Sequence, residues 1–167
     1  LLGLDVSRHL VSFYDPFLAE LPGLVRAREL LGCRSSSVVY VAGVKVATQT
    51  PPVRSGRRVV FLTLDDSTGP VDATFFEDAQ GPYAATLFHS WLLLVRGEVR
   101  RTGPRGLSIR ATGCWELGEV NELWRAEGMA AVTDLIAASP EPTTNRVRTT
   151  SESRHGGTAG GMGQRRR

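Results

Sequence analysis

The stretch from Arg57 to Phe76, RRVVFLTLDDSTGPVDATFF, constrains the fold of this chain more than any other. Two runs rich in β-branched and aromatic residues flank the turn DDSTGP, the pattern of a β-hairpin. Asp65, Asp66 and Ser67 can bond nearby backbone N–H groups, and Gly69 tolerates positive φ, so the acidic pair reads as a turn device. A metal site is the competing reading, and adjacent carboxylates on a strand point to opposite faces, which speaks against it. Alternation along Arg58–Asp65 places Val60, Leu62 and Leu64 in a core and turns Phe61, Thr63 and Asp65 outward.

The neighbouring segments extend the hairpin into a sheet. SVVYVAGVKVATQT, from Ser37, alternates Val44, Val46 and Thr48 with Lys45, Ala47 and Gln49, as a strand with one buried face does. Pro51 and Pro52 cannot donate to a ladder and Gly56 permits a turn, so PPVRSG is a loop. After the returning strand Val71–Phe76, EDAQGPYAATLFHS sets Tyr83, Leu87 and Phe88 on one helical face. WLLLVRGEVRR and GLSIRATGCWEL then read as a fourth and a fifth strand joined by TGPRG. Five strands with one helix after the third is the order of an OB barrel, so residues 34–117 are expected to form an all-β, five-stranded, partly open Greek-key barrel.

Residues 1–33 read as a helical lead-in, broken at Pro16, Pro22 and Gly23, with no core of its own. Asp15 stands where it can cap the following helix, and VRARELL sets Val25, Leu30 and Leu31 near one face. Over 118–139, the spacing of Val120, Leu123, Trp124, Val132, Leu135 and Ile136 predicts an amphipathic helix interrupted near Gly128. Residues 140–167 have almost no aliphatic side chains and much Gly, Ser, Thr and Arg, the composition of a disordered basic tail. Leu1 is not a start methionine and LLGLDVSRHL lacks the marks of a signal peptide, so the chain reads as a cytoplasmic piece of something longer. No apolar run approaches the roughly 18 residues of a membrane span, and no membrane partner is expected.

Composition narrows the chemistry. Cys33 and Cys114 are too few for a disulfide framework or a zinc site and read as two buried small hydrophobes. His9, His89 and His155 are scattered, and Ser35, Ser36 and Ser37 have no His and Asp to activate a nucleophile. No catalytic residue, metal or cofactor is expected. The net charge is +3, with ten basic side chains against seven acidic ones over 34–117 and six against two in the tail, where a nucleic acid could use them.

An OB barrel binds a single strand across strands two and three, between the loops joining strands one to two and four to five. Aromatic rings on that face stack bases while basic loop residues neutralise phosphates. Phe61 is thus the leading stacking candidate, with Thr63 beside it and Phe76 second, or Phe75 if the phase slips by one. Arg54, Arg57 and Arg58 stand in the first loop, Arg100, Arg101 and Arg105 around the second, and Lys45 joins them from the first strand. The competing reading is core burial for the rings and a solvated basic rim for the arginines. Trp91, Trp115 and Trp124 read as core or docking residues.

The string VAG, a basic loop, FLTLDDSTG and then FFED, continued by HSWLLLVRGEVRR, resembles the OB domain near the C-terminus of bacterial DNA polymerase III alpha subunits and their error-prone relatives. LGLDVSRHL is similar to the segment leading into that domain, with Leu10 where the family has a proline, and the resemblance covers roughly residues 1–117. The phasing F-x-x-L-x-D from Phe61 also resembles OB domains of the anticodon-binding kind, in which the aromatic ring contacts a base. The resemblance implies a single-stranded DNA-binding accessory module of a DNA-directed DNA polymerase, acting in replication or translesion synthesis, with other holoenzyme subunits as further partners. It also implies no catalysis here, because the family's catalytic carboxylates lie in a palm domain upstream. Gln49, Gln80 and Gln164 lack the hydrophobic and aromatic followers of a sliding-clamp motif. Two alternatives stay open: an OB domain that docks other polymerase or repair subunits, favoured if the acidic helix around Leu123 and Trp124 is exposed, and a barrel that folds without retained activity.

Overall fold

β-branched runs with period two become the five strands of the computed structural model, which describes residues 8–142 apart from Val53, Ser55 and Arg105. They are β1 (Val38–Gln49), β2 (Val60–Asp65), β3 (Pro70–Phe75), β4 (Leu92–Arg101) and β5 (Leu107–Glu116). They form a closed barrel in the order β1-β2-β3-β5-β4, and a short parallel contact, Ala73 with Ile109 and Thr74 with Arg110, joins β3 to β5. The barrel expected to be partly open is therefore closed. Residues 143–167, most of the tail expected to be disordered, lie outside the described residues, as does Arg105.

β1 makes closure possible because its first half pairs with β4 and its second half with β2. Gly43 sits at the changeover, where a Cβ would lie 2.5 Å from the Asp65 carbonyl oxygen, so a side chain there would push the two strands apart. A bulge between Lys45 and Ala47 then bends the strand. This corrects the simple alternation expected from Val44 to Gln49: Val46 is 61% exposed, and the buried set is Val39, Val41 and Ala42.

β2 keeps its expected phase, with Val60, Leu62 and Leu64 buried and Phe61 outward, and β3 contributes Val71, Ala73 and Phe75 to the same core. The run Leu93-Leu94-Val95 on β4 is buried without alternation, because its outer face is covered as well. Both flanks contribute to the core. Helix α1 (Asp15–Glu20) inserts Phe17 and Leu18, a 3-10 helix (Ala27–Gly32) inserts Leu30, and helix α3 (Leu117–Glu127) packs on β4 and β5. Phe17 meets Trp124 with ring centroids 5.7 Å apart, and the Trp124 indole N–H donates to Glu20 Oε2 at 2.9 Å.

The C-terminal helix expected to be interrupted near Gly128 forms two helices, α3 and α4 (Met129–Ala138), with the break where Gly128 adopts φ 87°. The helix after β3, α2 (Glu77–His89), buries Tyr83 and Leu87 and leaves Phe88 exposed, because Phe88 lies a full helical step from that face. Asp15 forms no cap; its Oδ1 accepts from the Arg26 guanidinium at 2.9 Å.

The DDSTG turn is more tightly built than its sequence suggests. Asp66 is 1% exposed; its Oδ1 accepts from the Thr68 N–H at 2.8 Å, the Thr68 hydroxyl at 2.7 Å and the Gly69 N–H at 3.1 Å. Its Oδ2 accepts from the Ala27 N–H at 2.5 Å, at the start of the 3-10 helix. Asp65 Oδ1 takes the Ser67 N–H at 2.9 Å, and the positive φ falls on Ser67, at 75°, rather than on Gly69.

Replacing Asp66 by Ala would strip these donors of a charged acceptor in a buried setting. The expected loss is about 3 kcal/mol of stability in urea unfolding. Cys114 is buried, and burial pushes its thiol up to about 12, whereas Cys33, expected to be buried too, is half-exposed. A thiol reagent at mildly alkaline pH is expected to modify Cys33 in the folded protein and Cys114 only after unfolding, as mass spectrometry would read directly.

Candidate nucleic-acid interface

With its flanks covering β4 and β5, the barrel leaves the outer face of β2 and β3 open. A groove of about 890 Å³ runs across it. The register sets its contents in rows. Gln49, Phe61, Thr74 and Arg110 pair across β1, β2, β3 and β5 in one row, and Ala47, Thr63 and Asp72 in the next. Phe61 is 45% exposed and Phe76, just past β3, 41%, while Phe75 is fully buried, so the phase does not slip. Both exposed rings line the groove, as do Thr63 and Arg100.

Arg110, which sequence reasoning missed, completes the site. Its guanidinium carbon sits 5.2 Å from the Phe76 ring centroid and its Nη2 lies 3.6 Å from Asp78 Oδ2. The signal was present in principle, since Arg110 occupies an outward position of β5. What hid it is the parallel β3–β5 contact, which no local pattern announces. Asp72 was missed as well; it lines the groove and its Oδ1 accepts from the Thr63 hydroxyl at 2.8 Å.

The other basic candidates do not converge on this groove. The Lys45 ammonium donates to the carbonyl oxygens of Leu87 and Phe88 at 3.0 Å each and lies 5.5 Å from the centroid of the Trp91 ring, which is 72% exposed. Those carbonyls belong to the last turn of α2, where intrahelical donors run out, so the lysine acts as a C-terminal cap. Arg101 donates to the Leu31 and Cys33 carbonyls at 3.0 and 3.1 Å, closing the end of the 3-10 helix in the same way. Arg100 pairs with Glu98 at 3.0 Å and still borders the groove. Arg57 and Arg58 line a neighbouring hollow of about 560 Å³ with Phe88 and Gln80, and Arg54 is exposed in the same loop.

Chemically, the groove offers stacking surface and cationic edges and no reactive centre. Among the described residues no group of three or more His, Cys, Asp or Glu is placed to hold a metal ion.

Residues 39–117 match the family model described as an OB-fold nucleic acid binding domain, and the closed five-stranded barrel has the OB fold. More particularly, its homologues are DNA polymerase III alpha subunits and error-prone DNA polymerases. The chain is 42% identical over 88 residues to the error-prone DNA polymerase of Symbiobacterium thermophilum, covering 53% of this chain and 8% of that one. It is 28% identical over 159 residues to the DNA polymerase III subunit alpha of Escherichia coli (strain K12), covering 94% of this chain and 13% of that one. The chain thus spans about a tenth of the length of these relatives. Among solved structures, asparaginyl-tRNA synthetase of Entamoeba histolytica aligns over 55% of this chain and 22% of its own, at 13% identity and a TM-score of 0.42, a likeness too slight to speak to function.

Because Lys45 and Arg101 hold helix ends, replacing either by Ala is expected to cost about 1–2 kcal/mol of stability in thermal unfolding. The Arg54→Ala change is expected to move stability by less than about 0.5 kcal/mol.

Proposed function

We propose that the barrel binds single-stranded DNA across β2 and β3, as an accessory module of a DNA polymerase III alpha-type subunit in replication or translesion synthesis. The observation that carries this reading is the exposed pair of rings, Phe61 and Phe76, in a groove bordered by Arg100 and Arg110. Bases stack on the rings, and the guanidinium groups neutralise phosphates at the edge, an arrangement that tolerates many sequences. Arg57 and Arg58 extend the positive edge beyond the groove, and Arg54, Arg105 and the arginine-rich tail add charge that attracts the strand from a distance. The binding unit is residues 34–117, with 8–33 and 118–139 bracing it from the far side.

Docking to another protein through α3 is the rival reading. Against it stands the use already made of that helix: Trp124 packs on Phe17 and bonds Glu20 within the chain, and Leu123 is partly buried against the core. No helix among the described residues is long and apolar enough to cross a membrane.

The test is fluorescence anisotropy of a labelled oligothymidine titrated with the full chain at several salt concentrations. Affinity is expected to fall with salt, with a slope of about 0.7 per phosphate contacted. The Phe61→Ala variant is expected to bind roughly tenfold more weakly, the scale of one lost base stack. A folded protein that ignores the oligonucleotide at low salt would sink the proposal and favour docking.

A further inference from the structure

The groove holds one feature that a purely electrostatic strand-binding surface would avoid. Asp72 is exposed on β3, within the lining, and is the one carboxylate among the described lining residues. A fixed negative charge there repels phosphate, so a bound strand keeps its backbone toward Arg100 and Arg110 and turns base edges toward Asp72.

The hydrogen-bond inventory at this point has one polarity. A carboxylate can only accept, so in the 2.8 Å contact the Thr63 hydroxyl hydrogen is committed to Asp72 Oδ1. What the pair leaves over is Asp72 Oδ2, which has no hydrogen-bond partner among the described residues, and the lone pairs of Thr63 Oγ1. Two neighbouring acceptors with no donor between them suit an amino group, which brings two hydrogens.

The register brings this acceptor pair within reach of a stacked base. Phe61 pairs with Thr74 and Thr63 with Asp72, so Phe61 and Asp72 are diagonal neighbours on one face, with Cβ atoms about 7 Å apart. A base lying on the Phe61 ring extends its edge over that distance. Cytosine presents an amino donor there. Thymine presents a carbonyl oxygen in its place, which meets two acceptors and no donor.

We infer that the Asp72–Thr63 pair is a base-reading subsite, which selects bases carrying an exocyclic amino group over thymine at the position stacked on Phe61. The inference rests on the single-strand reading and adds to it a residue that sets preference and strand orientation. It is tested by titrating the full chain into labelled oligodeoxycytidine and oligothymidine of equal length at neutral pH. The cytidine strand is expected to bind about tenfold tighter, the scale of one base-edge contact. In Asp72→Ala, whose exposed site leaves thermal unfolding unchanged, the two affinities are expected to converge to within about twofold. In Asp72→Asn, the amide supplies a donor and thymidine binding is expected to strengthen relative to wild type. Equal binding of both strands by the wild type, or a preference that survives Asp72→Ala, overturns this inference and leaves strand binding intact. Failure to bind either strand overturns both.

Discussion

The buried carboxylate of Asp66 holds together parts of the chain that would otherwise be independent. One oxygen organises the β2–β3 turn through Thr68 and Gly69; the other reaches the Ala27 N–H, 39 residues earlier, at the start of the lead-in's 3-10 helix. An ionised group this buried is tolerated only when its lone pairs are filled, and here four donors fill them. The turn geometry therefore depends on the lead-in being docked, and the lead-in on the turn being formed. Because β2 and β3 leave this turn in fixed phase, the outward placing of Phe61, Thr63 and Asp72 follows from it.

Closure of the barrel then decides where a ligand could lie. The long β1 serves two neighbours only because Gly43 allows the Asp65 carbonyl to approach and the bulge after Lys45 turns the strand. The parallel contact between β3 and β5 completes the ring and sets Arg110 beside Thr74 and the Phe76 ring. On the opposite side, α3 packs on β4 and β5, and Phe17, Leu18 and Leu30 of the lead-in join the same buried core. One face of the barrel is consumed by packing and the other carries the groove.

The basic residues divide along the same line. Lys45 and Arg101 spend their hydrogens on backbone carbonyls at helix ends, a use that favours cations because those ends carry partial negative charge. Arg100 and Arg110 keep ion pairs at the groove's margin, with Glu98 and Asp78, that leave their guanidinium groups partly exposed. The nearby carboxylates, Asp72 above all, make the surface mixed in sign.

Much of this was legible in the sequence. The alternation of VVFLTL fixed the core set Val60, Leu62 and Leu64 and the outward Phe61, and DDSTG announced a side-chain-stapled turn, because both are properties of residues adjacent in the chain. The helix between β3 and β4 followed from the change of period after Phe76. Other features were not legible. The slip at Val46, the exposure of Phe88, the packing of Trp124 on Phe17, the arrival of Arg110 and the commitment of Lys45 and Arg101 each depend on a distant partner. Lys45 reaches carbonyls 42 and 43 residues away, and Arg101 reaches back 70 and 68. Periodicity and turn chemistry are short-range and were written in the order of residues. Which cations stay available to a ligand was decided by the tertiary structure alone, since that depends on which helix ends the closed barrel brings within hydrogen-bond reach.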